Sequence, residues 1–460
     1  MDNILTQIEE KFKSKIEEII KEGEIPKLDY AEKYLLAAAC EFTREALAAL
    51  YEQKDAELRE DKKRRKAEGL VVERKGDKRE VVTRLGILRF NRTYYQKNHE
   101  AYVYPIDEIA GIQAYQRVSG GTTYALVESA IRQSYAKASM EVTGGIVSKQ
   151  TVMNSLRKAT VPKETHLKLR KVPYLHIDAD EDHVKMVKRK GGCVNLPEIT
   201  VYEGVEHQGK RGRCINSFSI SEYGMKPDEI WEKVLTEVES RYDLNGTQVY
   251  IHGDGAAWIK KAFEWFPNAT FVLDQYHKNK YIKRSTADFP ATEGNMFQRK
   301  IRTILSEGTK EDLLELQADM CGAHPEKTDN IEQATGYLYD NFDGIVIRRK
   351  DSEANNGGCT EPHVSHILSS RLSTRPMAWS AETLKHIAPI LAAGVFTMDY
   401  PNSETNAPIR CKVRLSNKTV RAVKNTLGLP DPDLAVDIAG SFEGHLNGLY
   451  SIIRTYTGLK

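Results

Sequence analysis

Apolar and polar positions along this chain follow two periods, and the switches between them outline its parts. Ile4, Ile8, Phe12, Ile16 and Ile19 recur at close to helical spacing, with Gly23 as the stop. A second helical stretch starts near Tyr30 and runs through LLAAACEFTREALAALYEQKDAELREDKKRRKAEG, losing its apolar stripe after Leu58. From Val71 the period shortens. VVERK and REVVTRLGILRFNRTYYQ alternate β-branched and basic residues about Gly86, which predicts paired strands. Over 122–160 the helical period returns in three short pieces, TTYALVESAIRQ, SYAKASMEV and KQTVMNSLRKA. Gly144-Gly145 breaks the second from the third, Ser148 can cap the third, and Val152 and Leu156 point inward at i, i+4.

After Val172 the strand signals dominate. VPYLHIDAD is a buried-strand run, EITVYEGVE a second strand and RCINSFSIS a third. PDEIWEKVLTEVESRY reads as a helix with Pro227 in its first turn and Ile230, Val234 and Val238 four apart. TQVYIHGDG is a strand ending at Asp254, AAWIKKAFEWF a helix, and ATFVLDQYHKNKY a fifth strand ending near Asp274. FQRKIRTILSEG, KEDLLELQADMCG and NIEQATGYLYDNF predict an all-helical insertion over about 285–355. Beyond it, Thr360 or Glu361 opens a helix with Pro362 in its first turn, a buried stripe of Val364, Ile367, Leu368 and Leu372, and a stop at Pro376. The expected organisation is therefore a helical segment at 1–70, suited to dimerisation, and a β-ribbon with three helices at 71–165. A mixed α/β domain at 166–400 carries the insertion, and a helical tail follows at 401–460.

Composition narrows the class. At 460 residues the chain is too long for one core, and 40% hydrophobic with 29% charged residues is a globular balance. No apolar run reaches the ~20 residues of a membrane span, and the N-terminus is no signal peptide, so a cytoplasmic, nucleoid-associated protein is expected. Six cysteines without a C-x-x-C pair argue against a disulfide framework or zinc knuckle. Net charge is only +2, so a polyanion would have to meet local patches. Arg84, Arg89 and Arg92, interleaved with Tyr94 and Tyr95, suit phosphate contacts, although the charged outer face of a small sheet reads the same way. Short helix, glycine turn and capped helix is the helix-turn-helix pattern. Its outward residues would be Lys149, Gln150, Asn154, Arg157 and Lys158, placed for phosphates and base edges; an ordinary three-helix unit with a polar face is the alternative. Lys62–Lys66 could touch phosphates, but acidic residues precede it within a turn or two and a solvated helix end is the preferred reading.

The acids carry the candidate chemistry. Asp178, Asp180 and Asp182 alternate onto one face of the first strand, so periodicity does not separate them. Asp254 ends the fourth strand between two glycines, and Glu361 starts a later helix. Strand, strand, strand, helix, strand, helix, strand is the order of the ribonuclease H-like fold, in which such acids are brought together. Paired carboxylates repel unless a cation joins them, and hard oxygen donors suit Mg²⁺ or Mn²⁺ for phosphoryl transfer.

ADEDHV, HGDGAAWI, LDQYHKNKY and TEPHVSHILSSRLSTRPMAWS resemble the motifs of the ISLre type of bacterial insertion-sequence transposases, a DDE family akin to the Mutator-like transposases. TRLGILRFNRTYY and SKQTVMNSLRKA resemble that family's N-terminal region, so the likeness covers most of 70–400. By position it implies Asp180, Asp254 and Glu361 as catalytic and metal-holding residues for two Mg²⁺ ions, with Mn²⁺ as a substitute. Asp274 and His277 would be an accessory pair, and Asp178 and Asp182 further accessory acids. The implied partners are double-stranded DNA, as terminal inverted repeats and target, and a second copy of the chain in synapsis. A DNA-binding descendant without catalysis and another metal-dependent phosphohydrolase are the rival readings. The second shares HIDADEDH and HGDG with binuclear phosphoesterases but lacks their later histidine elements.

Overall fold

The computed structural model describes residues 2–20, 27–163, 166, 168–187, 192–209, 211–358, 365–374 and 377–398. The expected tail at 401–460 lies outside them, as do Gly23, Glu361, His363, Val364 and Pro376. The chain divides into two compact units at Lys158/Ala159.

In the first unit, α1 (Asp2–Ile20) pairs with α2 (Leu28–Glu60). Phe12 meets Phe42 with ring centroids 5.2 Å apart, and Glu41 holds both Lys11 and Lys15. The long helix expected to run to Gly69 stops at Asp61. That residue leaves helical geometry and accepts the Arg64 N–H at 2.9 Å, starting α3 (Lys62–Ala67) afresh. β1 (Leu70–Thr83) and β2 (Gly86–Lys97) form an antiparallel ribbon to which β3 (Ala101–Val103) adds. The ribbon is fastened to α2 by buried Asp55, which accepts the Thr93 N–H at 3.0 Å and the Thr93 hydroxyl at 2.6 Å. After α4 (Pro105–Ile109) come α5 (Gly120–Arg132), α6 (Tyr135–Thr143) and α7 (Lys149–Leu156). Ser119, Ser134 and Ser148 cap these three in turn, and α6 ends at Gly144 in the left-handed region. Leu126, Ala130, Ala138, Val147 and Val152 close their shared core.

The second unit is built on a mixed sheet of β4 (Tyr174–Lys185), β5 (Cys193–Tyr202), β8 (Phe218–Ile220), β9 (Gln248–Gly253) and β10 (Thr270–Leu273). Its spatial order is β10-β9-β4-β5-β8. β4, β5 and β8 meander antiparallel, whereas β9 runs parallel to both β4 and β10. The second and third expected strands both divide: the end of one and the start of the other lie in a separate hairpin of β6 (Val205–Gln208) and β7 (Arg211–Cys214), and of the third only Phe218–Ile220 reaches the sheet. Gly204 and Asn216, both at positive φ, turn the chain out of the sheet and back.

α8 (Pro227–Arg241) covers one face of this sheet. Ile230, Trp231, Val234 and Val238 bury against Leu175, Ile177, Ala179, Ile199, Val201 and Ile251. The single helix expected after Asp254 is two short ones, α9 (Ala257–Lys260) and α10 (Ala262–Trp265). The region after β10 is helical as expected over about 285–355, but a helix that was not expected already spans 275–284. α11 (Gln275–Arg284), α12 (Ala291–Glu307), α13 (Lys310–Ala323), α14 (Thr328–Asp340) and α15 (Phe342–Lys350) share a core of Ile282, Phe297, Ile301, Leu313, Leu338 and Ile345. A π-helical turn, Ser365–Ser369, leads into Ser370–Leu372, with Leu368 and Leu372 buried, before α16 (Ala381–Ala393). No described helix is long and apolar enough to cross a membrane.

Trp231 is fully buried and donates its indole N–H to the Trp258 carbonyl at 2.8 Å. Trp231→Ala therefore removes core volume and a buried donor together, and is expected to cost about 3–5 kcal/mol in urea unfolding. A loss below about 1 kcal/mol would contradict the central place given to this face.

Candidate active site

The face of the sheet opposite α8 is polar, because β4 alternates. Ile177 and Ala179 turn to the apolar core, and His176, Asp178, Asp180 and Asp182 turn the other way. The three aspartates that periodicity leaves equivalent have different surroundings. Asp178 is fully buried and accepts the Tyr202 hydroxyl at 2.8 Å and the Gly358 N–H at 3.3 Å. Asp182 is also buried, and one of its oxygens accepts the hydroxyls of Ser369 at 2.9 Å and Ser373 at 2.8 Å. Asp180, between them, is half-buried and among the described residues takes only the Glu181 N–H, at 2.8 Å, on one oxygen.

Asp254 follows the end of β9, the strand parallel to and beside β4. One of its oxygens accepts the Ala256 N–H at 2.8 Å, and its backbone carbonyl accepts the Tyr337 hydroxyl from α14 at 2.5 Å. Asp274 follows β10 and caps α11. It accepts the His277 N–H at 2.9 Å and the His277 Nδ1–H at 2.6 Å, leaving Nε2 of that ring unused.

These groups share one electrostatic environment. Burial pushes the Asp180 carboxyl up to about 6, and the charges of Asp254 and Asp274 add to that shift against the opposing Glu181 N–H and His277. Glu181 is raised too, by burial and then by Asp254. Burial works against a charged His277, but its hydrogen bond to Asp274 and the charges of Asp274, Asp254 and Asp180 outweigh it and raise the ring. Burial and the same three aspartates also raise the Tyr337 phenol. Asp180 within β4, Asp254 and Asp274 just past the ends of β9 and β10, and His277 on α11 thus act on one another electrostatically. Among the described residues no group of three His, Cys, Asp or Glu side chains closes on a single metal-ion position.

Glu361 lies outside the described residues, but the chain on both sides of it is tethered. Gly358 bonds to Asp178, and Ser369 and Ser373 bond to Asp182. A run of polar contacts leads the chain to Gly358. Tyr250 donates to Asp351 at 2.6 Å, His176 faces Glu353 at 3.3 Å, and the Gly358 N–H reaches the Tyr202 oxygen at 3.1 Å. His176 and His252 share a hydrogen bond at 3.0 Å. Burial lowers the pKa of both, His252 to about 3, so the pair is neutral. Gly357 lies against them so closely that a Cβ there would come 2.3 Å from His252 Nε2. His366 is exposed at the π-helical turn.

Sequence reasoning passed over Glu198. It is fully buried on β5 directly across from Asp180, the register in which two side chains share a face. Alternation in PEITVY puts Glu198, Thr200 and Tyr202 on one face, but only strand pairing sets Glu198 opposite Asp180. The neutral His176–His252 pair is likewise invisible in the sequence, since it depends on β9 lying beside β4.

In the first unit, Lys149, Gln150, Asn154 and Lys158 are exposed on or just after α7, Arg157 is half-buried, and Gln150 bonds to Asn154 at 3.0 Å. Arg84 and Arg89 are exposed, the latter paired to Glu80 at 2.6 Å. Arg92 is turned inward: it pairs with nearly buried Asp107 and lies 3.5 Å over the Tyr104 ring.

The model of an uncharacterised protein family, UPF0236, matches residues 27–428 of the chain. A UPF0236 protein of Caldanaerobacter subterraneus subsp. tengcongensis is 36% identical over 354 residues, which is 75% of this chain and 74% of that protein. A second UPF0236 protein of the same bacterium, whose name joins eleven locus designations, is 36% identical over 355 residues, 75% of this chain and 73% of its own. A UPF0236 protein in the vanSb 3′ region of Streptococcus gallolyticus is 24% identical over 399 residues, covering 82% of this chain and 85% of its own.

A carboxyl whose folded pKa is raised binds more protons folded than unfolded between the two values. Stability from Asp180 is therefore present at low pH and lost as pH rises from about 4 through about 6. Asp180→Asn is accordingly expected to stabilise the metal-free protein at pH 7.5 by roughly 1–2 kcal/mol, allowing for partial solvent screening, and to do little at pH 4. Thermal melts at the two pH values check it; destabilisation at pH 7.5 would contradict the crowding of charge described.

Proposed function

We propose that this chain, which belongs to the uncharacterised protein family UPF0236, is a DNA transposase of a bacterial insertion sequence. The observation that carries the reading is the state of Asp180 and Asp254. Each keeps one oxygen without a hydrogen bond among the described residues, and the two repel each other across neighbouring parallel strands. Carboxylates kept open against their own repulsion are suited to a divalent cation.

Further support comes from several directions. In sequence order the sheet reads third, second, first, fourth, fifth strand, with the last two parallel to the first, as expected of a ribonuclease H-like domain. The helical insertion follows the fifth strand, where the sequence predicts it. Gly358, which precedes Glu361 by three residues in sequence, is anchored on Asp178. Many paralogous relatives in one bacterium suit a mobile element.

In this reading Asp180, Asp254 and Glu361 would hold Mg²⁺, or Mn²⁺, which supplies charge stabilisation for phosphoryl transfer and lowers the pKa of water. Water attacks the phosphorus at the element end and a 3′-hydroxyl leaves. That hydroxyl then attacks a target phosphate in line and displaces the target's own 3′-oxygen. His277, oriented by Asp274 through Nδ1, keeps Nε2 for a proton beside the acids. The α5–α7 helices would read the element ends through α7, with Lys149, Gln150, Asn154 and Lys158 outward, as a helix-turn-helix does. Two ends in synapsis require at least two copies of the chain.

Asp254→Asn keeps the oxygen that accepts the Ala256 N–H, so the loop is expected to hold. It should abolish Mg²⁺-dependent cleavage of a plasmid carrying the element ends while leaving end binding within about threefold of wild type. Cleavage by Asp254→Asn would overturn the assignment. Lys149→Ala and Arg157→Ala should each weaken binding of the ends and lower the salt slope by about one. An unchanged slope would remove α7 from the interface.

A further inference from the structure

α11 opens directly on the acids, since Asp274 is its cap. Its ten residues carry Lys278, Lys280, Lys283 and Arg284 and no acid. The helical period sorts them into faces. Ile282 is buried, Lys278 and Tyr281 are half-buried, and Tyr276, Asn279, Lys280 and Lys283 form an exposed stripe at i, i+3, i+4 and i+7. Arg284, beside the stripe, is drawn aside by the Gln333 side chain of α14.

Two features set this stripe apart from an ordinary solvated face. The first is the lack of counter-charge. Neither Lys280 nor Lys283 pairs with a carboxylate among the described residues, whereas elsewhere in the unit Lys261 pairs with Asp228 and Lys310 with Asp343. From Gln275 to Arg302 seven lysines and arginines stand against two acids, Asp288 and Glu293, and Glu293 is taken by His324. In a chain of net charge +2 that excess is a local patch. The second feature is the aromatic ring at the head of the stripe. Tyr276 is 50% exposed, and it meets the His277 imidazole edge to face, with centroids 5.2 Å and planes 89° apart. Lys280 Nζ lies 5.9 Å from the centre of the same tyrosine ring. His277 is in turn bonded to Asp274, so the exposed ring is one contact away from that acid.

We propose that this stripe of α11 is the surface on which an unpaired stretch of DNA lies as it enters the acid row. Tyr276 stacks on a base, and Lys280 and Lys283 take the phosphates that follow it. The identity of the strand as an element end rests on the transposase reading, but binding to the stripe does not depend on cleavage. Charge alone would suit any polyanion. A half-exposed ring among the cations selects a partner that offers flat π-faces along a phosphate backbone, and a strand whose bases are unpaired offers them more openly than a duplex. From Tyr276 to Lys283 the helix rises about 10 Å, room for two or three nucleotides.

The test is made on the full chain in EDTA, so that no metal bridges protein and phosphate. Affinity against salt is measured for a labelled single strand of about 20 nucleotides of arbitrary sequence and for an abasic strand of the same length. Tyr276→Ala should bind the normal strand at least about fivefold more weakly and the abasic strand within about twofold of wild type, and Tyr276→Trp should restore the loss. Lys280→Gln/Lys283→Gln should weaken both strands and lower the salt slope by about 1.4, well beyond Arg213→Gln/Lys385→Gln, which removes two charges at exposed positions of the same unit. The proposal needs both effects. It falls if either variant binds the normal strand as wild type does, if Tyr276→Ala weakens both strands alike, or if the control loses as much as the lysine variant. Phosphatidylserine vesicles test the other polyanionic surface: vesicle binding lost in the lysine variant with strand binding kept would assign the stripe to a membrane and overturn the proposal. A wild type that holds the strand through α11 yet never cuts DNA would sink the transposase reading and leave the strand surface standing. Cleavage lost in Asp254→Asn but unchanged, with strand binding, in the α11 variants would do the reverse.

Discussion

Three aspartates on one face of one strand set the problem that the second unit has to solve. Like charges two residues apart on β4 lie close together under a protein layer, where each must be hydrogen-bonded or matched by a cation. The fold gives Asp178 a tyrosine hydroxyl and a backbone N–H, and Asp182 two serine hydroxyls. Among the described residues Asp180 receives only its neighbour's N–H and faces Asp254 and Asp274. The flanking acids take these bonds on one oxygen each, so what sets Asp180 apart is its partial exposure and the charges of Asp254 and Asp274 beside it.

The same hydrogen bonds that satisfy the flanking acids tie down distant chain. Asp178 anchors Gly358 after the helical insertion, and Asp182 anchors the π-helical turn that begins at Ser365. Tyr250, His176 and Tyr202 extend this docking along the polar face toward Asp351, Glu353 and Gly358. Neutral histidines suit that role: a charged pair 3.0 Å apart would add repulsion beneath the strand that carries the acids. The insertion contributes more than bulk, since Tyr337 holds the Asp254 backbone and Arg348 reaches the end of β10.

Much of the fold was legible from the sequence because local periods reflect burial. The strand-helix series from Tyr174 to Leu273, the capped α7 and the helices after about residue 285 all follow from apolar spacing, serine caps and glycine breaks. Misreadings arose where local pattern is weak: Asp61 splitting a long polar helix, and a hairpin leaving the sheet between Gly204 and Asn216. The acids were visible as residues, and their family resemblance singled out Asp180, but no local rule could separate it from Asp178 and Asp182. Only tertiary structure decided that Tyr202, Gly358, Ser369 and Ser373 each bond to one oxygen of the outer two, that Glu198 stands across from the middle one, and that Arg92 turns inward to Asp107. Those outcomes depend on strand register and on contacts between residues far apart in the chain, whereas hydrophobic period records only which side of an element is buried.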